Sequence, residues 1–202
     1  GNDTYLFGIG DGQDTISSEY DVTTGKLNVL QFRAGVAPDE IVITRSSNNL
    51  VLAIAGTPDK VMVAYFFYND DPANAYNAIQ QVRFSDGTSW DSTALIAKLF
   101  AGTAAADSIS GTVNADTING AAGADYLYGR NGDDVLNGGK DNDYVSGDNG
   151  NDILDGGAGN DQLIGGAGND TYLFGRGSAL DVVSDYDPTV GNMDMLNVGS
   201  EI

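Results

Sequence analysis

Neither cysteine nor histidine occurs in this 202-residue chain. The first absence rules out disulfides and thiolate sites. The second removes the commonest general base and the commonest ligand for zinc or copper. Basic residues are scarce as well, 9 Lys+Arg against 29 Asp+Glu, for a formal net charge of −20. Such a surface suits cations and is a poor partner for nucleic acid or an anionic membrane. No apolar run is long enough to span a membrane, and no signal peptide opens the chain. Proline falls to 4 residues while glycine reaches 28, which argues against collagen and against a proline-rich linker. A small extracellular domain without disulfides commonly needs another staple, and metal is the usual one. With soft ligands and imidazole gone, hard, oxygen-liganded cations remain.

What the chain does contain is a nine-residue period. From Gly102 it divides without a gap into GTAAADSIS, GTVNADTIN, GAAGADYLY, GRNGDDVLN, GGKDNDYVS, GDNGNDILD, GGAGNDQLI and GGAGNDTYL. Position 1 is always glycine, from Gly102 to Gly165, and position 6 is always aspartate, from Asp107 to Asp170. Position 8 is always large: Ile109, Ile118, Leu127, Leu136, Val145, Leu154, Leu163 and Tyr172.

A second, longer period overlies the first. GNDTYLFGIGDGQDTI at Gly1 recurs as GNDTYLFGRGSALDVV at Gly168, and EYDVTTGKLNVL recurs as DYDPTVGNMDML. The expected reading is one unit of a tandem array plus the start of the next, cut at both ends. Between the copies, residues 40–45, 49–55, 60–68 and 78–84 read as strands, rich in Val, Ile, Phe and Tyr. Asp86-Gly87 is a hairpin signal. Residues 92–100 read as a short helix with Asp91 or Ser92 as N-cap.

Physical chemistry links the nonapeptide to a cation. Glycines let the first six residues bend sharply with carbonyls turned inward. The last three form a short strand with position 8 facing the interior. Two repeats make one flattened coil, so repeats i and i+2 stack and their position-6 carboxylates approach. Like charges in that column oppose folding, and a divalent cation removes the penalty. Calcium takes six or more oxygens at loose geometry, whereas magnesium demands a tight octahedron and keeps its water. One buried aliphatic side chain per nine residues is thin support against the entropy of ordering them. The array is therefore expected to be disordered without calcium, with metal binding and folding one event.

These nonapeptides resemble the RTX, or haemolysin-type, calcium-binding repeats of Gram-negative bacteria, most closely over residues 102–173. The segment from Tyr5 to about Phe100 resembles the β-rich module that follows such repeats in the meningococcal iron-regulated RTX proteins and similar large exoproteins. YLFGIGDGQDTI, NLVLAIAG, VMVAYFFYND and IQQVRFSDGTSW carry that likeness. The resemblance implies an all-β fold: a right-handed parallel β-roll plus a small β-rich capping module with one short helix. It implies type I export of an unfolded chain, secreted or displayed at the cell surface, that folds on meeting calcium. The expected division is the end of a preceding roll and its passage into a cap at 1–33, the capping module at 34–101, the roll at 102–173 and the next cap beginning at 174–202.

In such rolls alternate turn carbonyls join the position-6 aspartate as ligands. Carried over, the calcium ligands come from Asp116, Asp125, Asp134, Asp143, Asp152, Asp161 and Asp170. The turns add Gly129, Asn131, Gly132 and Asp133, then Gly138, Gly139, Lys140, Asp141 and Asn142, then Gly147, Asn149, Gly150 and Asn151. The last two add Gly156, Gly157, Ala158, Gly159 and Asn160, then Gly165, Gly166, Gly168 and Asn169. Thr103, Thr112 and Ala121 depart from glycine at position 2, and Ala105 and Asn114 at position 4. Asp107 and Asp116 thus read as a worn cap with partial or no metal. Asp3, Asp14 and Asp181 fall in stretched repeats. Pairing i with i+2 gives roughly six sites, fewer if the worn turns fail.

Other functions have weaker support. Tyr65, Phe66, Phe67 and Tyr68 offer either a carbohydrate platform, with extracellular polysaccharide as partner, or a core strand with an exposed edge. Some relatives cut themselves at an Asp-Pro bond when calcium arrives. The module that does so is not recognisable here, and Asp71-Pro72 and Asp187-Pro188 are also ordinary turn pairs. Ser85 and Ser89 lack any histidine to activate them. The expected function is a non-catalytic calcium-binding structural module whose partners are calcium and adjacent repeats. The alternative is an adhesion or carbohydrate-binding module, or a non-catalytic part of an exoenzyme or toxin.

Overall fold

The computed structural model describes residues 1–175, 177–188 and 191–199. The chain forms two compact units, Gly1–Leu99 and Phe100–Ile202. Of the next cap expected at 174–202, residues 176, 189, 190 and 200–202 lie outside the described residues.

The first unit holds two four-stranded sheets. In one, Thr4–Phe7, Val29–Phe32 and Gln81–Arg83 run parallel, and Ser89–Asp91 closes the edge antiparallel. In the other, Gln13–Ile16 pairs parallel with Lys60–Val63, which leads into an antiparallel meander with Asn49–Ile54 and Ile41–Ser46. Alternation explains the meander: in Asn49–Ile54 every second residue (Leu50, Leu52, Ile54) is buried and the others are half-exposed. Leu30, Phe32, Phe66, Phe67, Ile79 and Leu95 fill the core between these elements. The helix is Ser92–Leu99, and the Ala94 N–H donates to Asp91 Oδ1 at 2.8 Å, so Asp91 is the N-cap.

Two strand expectations change. Strand 60–68 ends at Val63, and the adjacent Phe66 and Phe67 are both fully buried. Two consecutive inward side chains do not fit a pleat of period two. The chain turns instead at Tyr65, whose φ is +58°. Strand 78–84 shrinks to Gln81–Arg83, because Ala78 and Ile79 are both buried and the Ile79 N–H bonds the Asn77 side chain.

The second unit is a parallel β-roll of two five-stranded sheets, one per side. Strands Ser108–Ser110, Tyr126–Asn131, Tyr144–Asn149, Gln162–Ala167 and Val182–Ser184 stack on one side. Thr117–Asn119, Val135–Lys140, Ile153–Ala158, Thr171–Phe174 and Met195–Val198 stack on the other. The register places Leu127 against Val145 and Val145 against Leu163 on one side, and Leu136 against Leu154 and Leu154 against Tyr172 on the other. That is the 18-residue step of a two-repeat coil. The position-8 residues from Ile109 to Tyr172 are all buried and line the hydrophobic interior. The strands run longer than three residues because pairing continues through positions 2 and 3 of the following turn, as in Arg130↔Asp148 and Asn131↔Asn149.

The long repeat is visible in both units. The Val29 N–H bonds the Asp3 carbonyl and the Leu27 N–H the Asn2 Oδ1; the Met195 N–H bonds the Asp170 carbonyl and the Met193 N–H the Asn169 Oδ1. The two copies share these contacts.

Candidate metal centre

The position-6 aspartates form two columns, one on each side of the roll. Those from Asp116 to Asp170 are all buried. From Asp125 on, each carboxylate accepts a bond from the turn one coil earlier: the Asp116 N–H donates to Asp134 Oδ1 (2.7 Å), the Asp134 N–H to Asp152 Oδ1 (2.8 Å) and the Asp152 N–H to Asp170 Oδ1 (2.8 Å). The other column runs from the Asp107 N–H through Asp125, Asp143 and Asp161 to Asp181 in the same way. Oδ1 is therefore spoken for. Oδ2 of Asp125, Asp134, Asp143, Asp152, Asp161, Asp170 and Asp181 is buried and has no hydrogen-bond partner. Buried polar atoms are nearly always paired, so a repeating column of orphans calls for a ligand outside the chain.

The glycines bring a backbone oxygen close to four of these Oδ2 atoms. A Cβ on Gly129 would strike Asp134 Oδ2 and lie 2.6 Å from the Gly147 carbonyl oxygen. Gly138 faces Asp143 Oδ2 and the Gly156 carbonyl in the same way, Gly147 faces Asp152 and Gly165, and Gly120 faces Asp125 and Gly138. Four seats thus hold a carboxylate oxygen and a carbonyl oxygen close together. At Gly156 and Gly165 the aspartate oxygens of Asp161 and Asp170 are present, and the Tyr172 hydroxyl takes the second place at Gly165. Among the described residues no three carboxylates already converge on one point. The seats are instead one acid plus backbone oxygens, a donor set of the hard kind calcium takes.

This geometry also revises the reason for the glycines. Strict glycine at position 1 comes from lack of space for a Cβ, because φ is not positive there. The positive φ falls at positions 2 and 4: Arg130, Gly132, Gly139, Asp141, Asp148, Gly150, Gly157, Gly159, Gly166 and Gly168. Asp141 holds φ +73° and so serves at position 4 in place of glycine. Positions 3 and 5 turn their side chains outward: Asn131, Lys140, Asn149 and Ala158 at the first, Asp133, Asn142, Asn151, Asn160 and Asn169 at the second are all exposed. The position-5 residues build an outer ladder, with the Asn151 N–H on Asp133 Oδ1, the Asn160 N–H on Asn142 Oδ1 and the Asn169 N–H on Asn151 Oδ1.

The electrostatics follow from the burial. Desolvation pushes the Asp134 carboxyl up to about 7 and those of Asp143 and Asp152 up to about 6. Column neighbours add to the rise and the bonded backbone N–H opposes it. Asp125, Asp161 and Asp170 are raised for the same leading reason. These groups hold protons more tightly folded than unfolded, so the metal-free roll loses stability as pH rises from about 4 through 7.

Two turns differ. Asp107 Oδ2 accepts from the Thr103 N–H (2.6 Å) and hydroxyl (2.9 Å), and Asp116 Oδ2 from the Thr112 N–H (2.6 Å) and hydroxyl (2.9 Å). The structure thus sets Asp116 apart from the other six aspartates expected as ligands. Asp3 is exposed and donates its N–H to Asn28 Oδ1, while Asp14 is exposed on strand Gln13–Ile16. Asp181 continues one column. Asp194, which the sequence reading missed, continues the other by accepting the Asp170 N–H at 3.0 Å. The signal was there: Asp194-Met195-Leu196 repeats the acid, any residue, large-apolar order of Asp170-Thr171-Tyr172, hidden by a step of 24 instead of 18.

Comparison with known proteins agrees with this geometry. The RTX calcium-binding nonapeptide repeat (4 copies) matches residues 101–136, 110–145 and 146–178, and the haemolysin-type calcium binding protein related domain matches residues 49–94. The iron-regulated protein FrpA of Neisseria meningitidis serogroup C is 37% identical over 84 residues, which are 42% of this chain and 7% of FrpA. The chain therefore spans a small part of that relative. Among solved structures, the extracellular lipase LipA from Serratia marcescens aligns over 98% of this chain and 28% of its own, at 15% identity and a TM-score of 0.25, too low to bear on fold or activity. Residues 101–178 are thus RTX, haemolysin-type calcium-binding repeats, a family whose repeats bind Ca2+, and residues 49–94 match the domain related to them.

Proposed function

We propose that the chain is a calcium-dependent, non-catalytic structural module of a secreted or cell-surface RTX protein of a Gram-negative bacterium, folding on calcium after type I export. The observation that carries this is the pair of columns of buried Oδ2 atoms without partners. A chain leaving a low-calcium cytoplasm cannot close those columns at neutral pH without stacking uncompensated charge. Outside the cell, calcium supplies the missing partner. Asp125, Asp134, Asp143 and Asp152 would hold the ions together with the carbonyls of Gly138, Gly147, Gly156 and Gly165, and Asp161 and Asp170 would give incomplete terminal seats. The remaining expected turn residues shape the loops (positions 2 and 4) or present their carbonyls (positions 3 and 5). In the parent protein, residues 1–33 end a preceding roll, 34–101 cap it, 102–173 form the next roll and 174–202 begin its cap.

The test is far-UV circular dichroism during a calcium titration, with magnesium as control. A cooperative gain of β signal with calcium alone, at about 0.1–1 mM, supports the reading. A spectrum indifferent to chelator contradicts it.

A second reading, carbohydrate binding, has one observation in its favour. Tyr65 (48% exposed) and Tyr68 (36%) cluster with Tyr20 and Tyr76 on the first unit, with ring centroids 4.7–6.3 Å apart. Glycan binding abolished by Tyr68→Ala in calcium-saturated protein supports it; no retention on any immobilised polysaccharide rejects it.

A further inference from the structure

We propose that Thr103 and Thr112 are built-in substitutes for calcium, whose hydroxyls hold the carboxylates of Asp107 and Asp116 and keep the first two turns of the roll out of metal binding. This rests on the calcium reading of the other turns and adds to it which turns are excluded and why.

The two turns lie on opposite sides of the roll, yet they are wired alike. In each, the threonine hydroxyl donates to Oδ2 of the position-6 aspartate at 2.9 Å and accepts the position-4 N–H, from Ala105 at 3.1 Å and from Asn114 at 3.2 Å. The threonine N–H donates to the same Oδ2 at 2.6 Å. The atom left without a partner in the later turns thus has two donors here, and the threonine hydroxyl spends its own donor and acceptor capacity in the same place.

The backbone explains why only these turns can do so. From Ala121 to Gly166, every position-2 residue has φ between +72° and +109°. Thr103 and Thr112 do not, in keeping with the steric cost of a β-branched residue in that region. A negative φ at position 2 accompanies an N–H aimed at the carboxylate. The walls of the seat nevertheless persist. A Cβ on Gly111 would still meet the Gly129 carbonyl and lie 2.8 Å from Asp116 Oδ2. Thr112 is completely buried, so its hydroxyl is an interior group and not a surface decoration. One neutral hydroxyl therefore does at the start of the roll what a cation does farther along.

The experiment is a count of calcium ions bound to the full 202-residue chain, by native mass spectrometry at saturating calcium. Thr112→Gly with Asn114→Gly restores a Gly-Gly-x-Gly-x-Asp turn and frees Asp116. The expected result is one more ion than wild type, while Thr112→Ser, which keeps the hydroxyl, leaves the count unchanged. An unchanged count in the double variant overturns the proposal. Should that variant fail to fold, crystals of wild type grown in calcium decide: anomalous peaks beside Asp134 and Asp143 with none beside Asp116 support it, and a peak beside Asp116 refutes it. A wild-type chain that binds no calcium at all instead defeats the calcium reading itself.

Discussion

Asp59 in the first unit and Asp134 in the second are both buried aspartates facing a neighbouring turn, and they titrate in opposite directions. Asp59 accepts the Gly10 and Gly12 N–H groups at 2.9 and 2.8 Å, and those bonds hold its carboxyl below the ordinary range. Asp134 has one oxygen satisfied and one bare, and burial pushes it up to about 7. The same contrast runs through the ladders. In the second unit each rung is an aspartate. In the first, the Asp3 N–H donates to Asn28 Oδ1 and the Asn28 N–H to Gln80 Oε1, both at 2.9 Å. The amide ends of those side chains are used too, Asn28 Nδ2 on the Ala78 carbonyl and Gln80 Nε2 on the Asn77 carbonyl. Stacked turns need an acceptor for each position-6 N–H. An amide supplies it and satisfies itself from within the chain, whereas a carboxylate supplies it and leaves an oxygen for a cation. On the proposed function, Asn at that rung makes a stack of turns self-sufficient, and Asp leaves it dependent on metal unless a threonine covers the second oxygen.

The sharpest break in this comparison comes from filling a seat. Gly147→Ala sets a Cβ against Asp152 Oδ2 and 2.7 Å from the Gly165 carbonyl. It is expected to cost the calcium-bound roll about 2 kcal/mol or more, as overpacking does, and one bound ion. Calcium-saturated thermal melts and ion counts read both effects. Next comes the exchange of rungs in the first unit. Asn28→Asp loses the donor to Ala78 and turns an oxygen toward that carbonyl. A loss of about 2–3 kcal/mol is expected from chemical denaturation of the first unit, the same with calcium or chelator.

The reverse exchange has two signs. Asp152→Asn places an amide nitrogen beside the Gly165 carbonyl. It is expected to stabilise the metal-free roll by about 1 kcal/mol and to lower the calcium count by one. A variant that weakens the roll in chelator and leaves the ion count intact defeats the rung argument. Acidification works in the same direction without mutation. In chelator, β signal should rise as pH falls from 7.5 to about 5, since Asp134, Asp143 and Asp152 take up protons in the folded state at about 7 and 6. The lowered carboxyl of Asp59 acts only below its unfolded value near 4 and leaves that window clear. With calcium present the sign reverses, because protons compete for the same oxygens. The smallest effect belongs to the outer ladder: Asn151→Ala, an exposed rung, should cost about 0.5 kcal/mol.

Much of this was legible in the sequence. Eight repeats with fixed glycine, aspartate and large-apolar positions dictate the coil, its register and its inner column. Asp91 or Ser92 before an apolar run marked the helix start, and the structure assigns the cap to Asp91. Other features were not legible, for physical reasons. Glycine at position 1 looks like glycine for bending until the neighbouring carbonyl is seen to leave no room. Thr112 looks like a worn glycine until its hydroxyl is seen on Asp116. Phe66 and Phe67 look like strand residues because apolar runs do not reveal which way consecutive side chains point. Asn28 and Gln80 carry no periodic signal, since their rungs are separated by long excursions of chain through the meander.

The central claim is that residues 120–174 require calcium to fold while the first unit does not. Amide hydrogen exchange on the whole chain, in calcium and then in chelator at pH 7.5, tests it most directly. The account predicts that amides of the strands between Tyr126 and Phe174 lose their protection on chelation while those of Ile41–Ser46, Asn49–Ile54 and Lys60–Val63 keep theirs. Equal protection of the roll in both conditions would contradict it, because the buried aspartate columns would then be stable without any cation.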